Sequence, residues 1–455
     1  MLRRLSPAFL AGALFLAAPS EGLVAQGFTP GQTSPALPLP NPLLAALGAR
    51  PEPLSLDELI DASLLSSGVG AEGLPAAREG LGAVLGRAAA AARIAAKAAA
   101  VTVPEAGPEI LLAEAALKTL HEGGPLRGYR AEATTLFDIL DRGAFNCVSS
   151  ALLYLLLCRE LGLACDGIQT SDHAFCVVRA GGRDIDVETT NPEGFDPGTK
   201  KNFTDSFGRV TGYAYVPPGA YARRKPTGQR GLVSLVLSNR AGLLEDRGLR
   251  REALALAVDY EVLRRDAEGM TFLIGRINNL CAAFAARSDW TAFRALVGES
   301  RSRLGDDPRL LDLAIKGLDG YLSENLARLS FAPALALVEE AARKGELSPA
   351  RRTEFLVYLY GNEANRVGRA GDWLAAAALA EEGAEKAGGE RSLVAAAAAF
   401  RRNFAVGVHN AFATKFNAGR YAEAKSVLEE GLRRLPGDAG LLADLVVAEK
   451  ALVRP

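Results

Sequence analysis

Histidine is nearly missing from this chain: its 455 residues include three, His121, His173 and His409. So few imidazoles leave few combinations that imitate a catalytic or metal-binding arrangement by chance. An excess of charge is also lacking, because 52 Lys and Arg face 53 Asp and Glu. No global field draws such a chain to nucleic acid or to an anionic membrane, so neither is expected as a partner. Cysteine is sparse, at five residues. That excludes a disulfide scaffold in a chain of this length, and the odd number leaves at least one free thiol even if pairing is complete. Cys158 and Cys165 are near enough in sequence to pair across the end of one helix, which would leave Cys147 available. Long apolar runs are absent after the first two dozen residues, and the Ala-rich tracts near Ala88–Val101 and Leu393–Ala399 are broken by charges or short.

The beginning of the chain reads as an export signal over 1–25. Leu2-Arg3-Arg4 supplies positive charge, and Ala8 to Ala18 has the length of an apolar h-region, too short for a confident membrane span. A periplasmic or secreted location is therefore expected, with no membrane contact beyond that segment. Residues 26–50 are rich in Pro, Gly, Ser and Thr, have no sustained period, and are read as a flexible linker. Order is expected from about Leu54, where Ser55 and Glu58 have the spacing of a capping box. Helical patterns follow to Leu64, over Ala76–Ala100 and over Pro108–His121.

The pattern changes from Arg127 to Tyr215. A helix is expected from Ala131 to Leu140, and a second from Asn146-Cys147 to Leu161, apolar nearly all round and so buried on most sides. Short β-like segments follow at Gly167–Gln169, His173–Arg179 and Asp184–Glu188, with Gly181-Gly182 placed to turn between the last two. A buried helix followed by a small antiparallel sheet defines an α+β fold, and residues 51–235 are assigned to it, helical front included. Residues 236–455 read as an all-α, repeat-like domain. Gly248…Ala253, Gly371…Ala376 and Gly419…Ala424 each put Gly five residues ahead of Ala, and the stretches at Ser288 and Leu329 are degenerate copies. The spacing of about 40 to 48 residues exceeds the 34 of a tetratricopeptide repeat, which the segment resembles in irregular form. Such an array offers a protein partner a concave face.

Cys147, His173 and the acidic run Asp184-Ile185-Asp186-Val187-Glu188 follow one another within about forty residues. That is the order of nucleophile, base and orienting acid in a papain-like thiol enzyme. A thiol at a helix N-terminus beside an imidazole is stabilised as thiolate. Asn146 supports the helix start, and the first-turn N–H groups of Cys147 and Val148 are expected to be free to serve as an oxyanion hole. Strand parity turns Cys176 away from His173, which disfavours a zinc site, and no calcium-loop pattern is present; no metal or cofactor is expected. Parity also puts Asp184, Asp186 and Glu188 on one face, any of them able to orient the imidazole.

Asn146-Cys147 heading an apolar helix, His173-Ala174-Phe175 on the next strand and Glu188-Thr189-Thr190 after it resemble the motifs of the transglutaminase-like superfamily. Asn191-Pro192-Glu193-Gly194-Phe195-Asp196-Pro197 resembles a continuation seen in bacterial members. The resemblance covers about Tyr129 to Phe195, with Phe175 where Trp is more usual and Glu188 where Asp is. It implies a papain-like α+β fold with a Cys147–His173–acid triad, the acid being Glu188 or Asp186. It further implies acyl transfer through a thioester, on peptide, protein or cell-wall amides. The alternative is a non-catalytic scaffold in which both domains bind protein or cell-wall partners.

Overall fold

The computed structural model describes residues 36–197, 224–325 and 328–453; the expected export signal lies outside them. The chain is α+β, a largely helical protein with a small antiparallel sheet. Ser55 and Glu58 close the expected capping box on α2 (Leu56–Ser67). Helices α3 (Leu74–Thr102) and α4 (Pro108–His121) complete the front, separated by the Pro-containing turn at 103–107.

The linker assigned to 26–50 needs correction over its described part. Pro42–Gly48 is a helix, α1, capped by Asn41, whose side chain accepts from the amides of Leu43 and Leu44. Its neighbours are held by distant side chains: the Asn41 amide donates to Asp259 Oδ1 at 2.6 Å, and the Leu37 amide to Glu299 Oε2 at 2.9 Å. Buried Arg230 donates to the carbonyls of Gly48 and Arg50. Gly48 lies so close to the backbone at Val262 that a Cβ would sit 1.8 Å from its carbonyl oxygen. Composition predicted a spacer because these backbone partners are hundreds of residues away in sequence.

The helix expected from Ala131 begins later. Thr135 and Asp138 form a capping box on α5 (Leu136–Arg142), and residues 131–135 are a turn. Two short parallel strands, β1 (Gly128–Tyr129) and β2 (Ala144–Phe145), deliver the chain to α6 (Cys147–Glu160). From Ala151 to Cys158 every residue of α6 is fully buried, as its all-round apolar sequence requires. Three strands follow, β3 (Ala164–Gln169), β4 (Ala174–Ala180) and β5 (Arg183–Val187), with Gly181 and Gly182 both at positive φ in the last turn. Sheet order is β5-β4-β3-β6, all antiparallel, and β6 (Lys225–Pro226) puts its proline on the edge.

One face of the sheet packs on α6: Ala174, Cys176, Val178 and Val187 are buried there, and Cys176 Sγ lies 3.2 Å from the Ala151 carbonyl. Helix α7 (Gly228–Asp246) packs against β3 and α6, and a Cβ on Gly167 would meet Leu232 at 2.6 Å. Tyr260 and Leu263, on α8 (Arg250–Arg264), belong to this same core, so it continues past residue 235.

From α9 (Ala267–Ala285) helices continue to the end of the described chain: α10 (Trp290–Leu304), α11 (Pro308–Asn325), α12 (Phe331–Arg343), α13 (Pro349–Arg369), α14 (Trp373–Lys386), α15 (Arg391–Asn417), α16 (Tyr421–Arg434) and α17 (Ala439–Val453). Gly248, Gly371 and Gly419 all take positive φ two residues before a helix starts, and Ser288 does so in the degenerate copy. Ala253, Ala376 and Ala424, five residues on, are fully buried. The sequence motif thus pairs a left-handed turn with a close helix contact.

Candidate active site

Each member of the site is set by a local device. At the head of α6, Asn146 Oδ1 accepts from the amides of Val148 (2.9 Å) and Ser149 (3.0 Å), while Ser149 Oγ accepts from the Asn146 amide. Asn146 Nδ2 and Ser149 Oγ donate to the carbonyls of Ala131 and Ala133, tying the preceding turn to the helix. Cys147 is the first helical residue and half-buried. This cap corrects one expectation: the Val148 N–H is consumed by Asn146 and cannot serve an oxyanion, whereas the N–H of Cys147 is not taken by the cap.

His173 sits at the tip of the β3–β4 hairpin, where the Thr170 amide donates to the His173 carbonyl and the His173 amide to Thr170 Oγ1. Its Nε2 is 2.6 Å from Glu188 Oε2, and the side chains are only 9% and 4% exposed. Its ring also interacts with the Cys147 side chain, which favours the charged imidazole. With Nε2 given to Glu188, Nδ1 is the nitrogen left for sulfur. Burial is the largest single influence on this imidazole and opposes its charging, but the Glu188 carboxylate and Cys147 together outweigh it and hold His173 well above the usual histidine range.

Glu188 follows β5 and has both oxygens engaged: Oε2 on His173, and Oε1 accepting from the amide (3.1 Å) and hydroxyl (2.7 Å) of Thr190. Its amide donates to the Gly194 carbonyl, and a Cβ on Gly194 would lie 1.9 Å from the Glu188 carbonyl oxygen, so glycine is required there. The Asn191–Pro197 stretch therefore closes on the acid. Asp186 is elsewhere: Arg224 lies 2.5 Å from its carboxylate, and burial raises its pKa despite that arginine. Of the two acids left open by the sequence, Glu188 is the one against His173.

His121 was not legible as part of this arrangement. From the last turn of α4 its Nε2 reaches the Thr189 carbonyl at 3.0 Å, its ring packs edge-on against Phe145, and burial lowers its pKa. A neutral ring with its proton on Nε2 donates that bond. Ser150 Oγ meets Thr189 Oγ1 at 2.9 Å. Both positioning residues lie far from Thr189 in sequence, so no local pattern signals them.

The other cysteines differ from Cys147. Cys158, Cys165, Cys176 and Cys281 are buried and unpaired by disulfide, so the Cys158–Cys165 bond is not formed. Burial pushes the first three thiols up, and Cys281 to about 12. Among the described residues, no group of three or more His, Cys, Asp or Glu is placed to hold a metal.

Cys147 and His173 line a cleft of about 930 Å³ together with Leu235, Ser238, Asn239 and Gly242 of α7, and with Tyr260 and Phe272. No family model matches this chain, and neither a curated protein nor a solved structure matches it. Among the described residues no helix is long and apolar enough to cross a membrane. A thiol, an imidazole held by a carboxylate and an adjoining cleft provide the parts for nucleophilic attack on a carbonyl.

Proposed function

We propose that this chain is an exported, transglutaminase-like cysteine hydrolase or acyltransferase acting on peptide or cell-wall amide bonds. One observation carries the reading: Cys147 and His173 line one cleft, with His173 acted on by Cys147 and hydrogen-bonded to Glu188, in the order of a thiol triad. Proton transfer from Cys147 to His173 leaves a thiolate beside an imidazolium that Glu188 stabilises. The sulfur attacks the amide carbon, a C–S bond forms, and the carbonyl π pair moves to oxygen. Collapse breaks the C–N bond, with the His173 proton going to the departing amine. Water, deprotonated by His173, then attacks the thioester and releases acid and thiol; an amine in place of water gives transfer.

The export reading rests on the basic and apolar pattern of the first two dozen residues. The helices from α9 onward supply surface for a protein partner, in keeping with the tetratricopeptide-like pattern.

The test is iodoacetamide alkylation of Cys147 at fixed pH, followed residue by residue by mass spectrometry in the wild type and His173→Ala. The enzyme reading expects the wild-type rate to exceed that of His173→Ala about tenfold or more, with Cys158, Cys165, Cys176 and Cys281 unlabelled until unfolding. Equal rates would sink it and leave a binding module.

A further inference from the structure

We infer that Gln169 is a catalytic residue: its side-chain amide donates the second hydrogen bond to the oxyanion formed when Cys147 attacks a carbonyl. This rests on the thiol-enzyme reading above. The need arises from the cap of α6. An oxyanion is stabilised by donors aimed where its charge develops, and with the Val148 N–H held by Asn146, the helix start supplies the Cys147 N–H alone.

Strand geometry brings Gln169 to this place. It ends β3, directly opposite Ala174 of β4, so their side chains share the face that packs on α6. On that face Cys176 meets Ala151, one turn into the helix, while His173, just before β4, reaches Cys147 at the head of the helix. The strand and helix therefore run in the same sense, and the Gln169–Ala174 pair falls at the Cys147 end. Gly167, two residues earlier and on the same face of β3, lies against Leu232 of α7, and Gln169 lines the cleft together with Cys147 and His173.

Its hydrogen-bonding state completes the argument. Other polar side chains of the lining spend their donors within the protein: Asn239 Nδ2 on Thr134 Oγ1, Ser238 Oγ on the Leu235 carbonyl, and Ser171 Oγ on Asp172. No hydrogen bond joins the Gln169 side chain to any described residue. A half-buried amide kept uncommitted at the mouth of a thiol site suits a short-lived anion better than packing, which an apolar side chain would serve at lower desolvation cost. The ligand class is an acyl compound, an amide or ester whose carbonyl oxygen points between Gln169 and the Cys147 amide.

The two roles, nucleophile and oxyanion donor, separate by choice of reagent. Iodoacetamide alkylates sulfur by displacing iodide and forms no tetrahedral oxyanion. p-Nitrophenyl acetate acylates sulfur through one, releasing p-nitrophenolate as the acetyl thioester forms. Single-turnover rates for both reagents are compared in wild type, Gln169→Ala and Gln169→Glu, the last keeping the shape while losing the N–H donors. The expected result is an acylation rate lowered about a hundredfold in both variants, with iodoacetamide alkylation within twofold of wild type. Unchanged acylation overturns the assignment, and so does an equal fall with both reagents, which would make Gln169 a support of the thiol or the fold. Wild-type rates that ignore His173→Ala would instead overturn the thiol-enzyme reading, and this assignment with it.

Discussion

The part of the molecule that carries Cys147 and the helices that follow it are built on different plans. From α1 to α8, one core gathers side chains from helices and strands more than a hundred residues apart around α6, whose middle is wholly enclosed. From α9 to α17 the buried side chains fall into smaller separate clusters, and the main packing is between helices one or two places apart in sequence. Chemistry that needs three side chains held within hydrogen-bond reach belongs to the first plan, because only there is each side chain fixed from several directions. The second plan tolerates variation at any one repeat and exposes much surface. This includes Val446, Val447 and Val453 on the last helix, each about half exposed or more.

The strongest attempt to break this contrast is Leu153→Ala in α6. Leu153 is fully enclosed in the first core, and its truncation is expected to cost about 2–5 kcal/mol, seen as a lower denaturant midpoint and as lost alkylation selectivity at Cys147. A comparable change in the second region, Leu428→Ala in α16, is expected to cost about 2–3 kcal/mol but to act locally. Hydrogen exchange should speed up in α15–α17 while the amides of α6 and β3–β5 keep their protection. Global loss of protection would show that the two plans are one cooperative unit.

A finer contrast lies within the first region, between its two acids. Glu188→Gln is expected to slow acylation of Cys147 by p-nitrophenyl acetate about a hundredfold, whereas Asp186→Asn, which disturbs only the pair with Arg224, should stay within about threefold. Equal effects would remove Glu188 as the orienting acid. The smallest effect is on pH. Because the folded imidazole of His173 holds its proton above the value of about 6.5 at which an unfolded one releases it, the native state binds the extra proton. The stability this contributes is complete below that value and is lost as pH rises through the raised native pKa. Thermal melts of wild type and His173→Gln should therefore converge as pH rises above about 6.5, and parallel curves would contradict the raised pKa.

The order of Cys147, His173 and an acid was legible because each sits at an element boundary with its own local signature: a cap, a hairpin turn and a strand end. The choice between Glu188 and Asp186 was not, since both satisfy the same strand parity and differ only in what stands opposite them. The freedom assumed for the Val148 N–H was wrong because a capping side chain, Asn146, competes for the same donor. His121 and Ser150, which hold Thr189, lacked any sequence signal, because spacings of 68 and 39 residues have no period. The strap at 36–50 misled for a related reason: Pro-rich composition reports the absence of local hydrogen bonding but is silent about partners such as Asp259 and Arg230 that arrive from elsewhere.

By itself the sequence determined the α+β class, the buried α6 with Cys147 at its head, the Gly-led helix starts from Gly248 onward and the extended segment that begins at His173, because periodicity, capping and turn residues act over a few positions. Tertiary structure alone decided which carboxylate faces His173, which first-turn amide stays unclaimed and which helix walls the cleft. Those are outcomes of competition among groups distant along the chain, settled by which of them the packed core brings within hydrogen-bond reach.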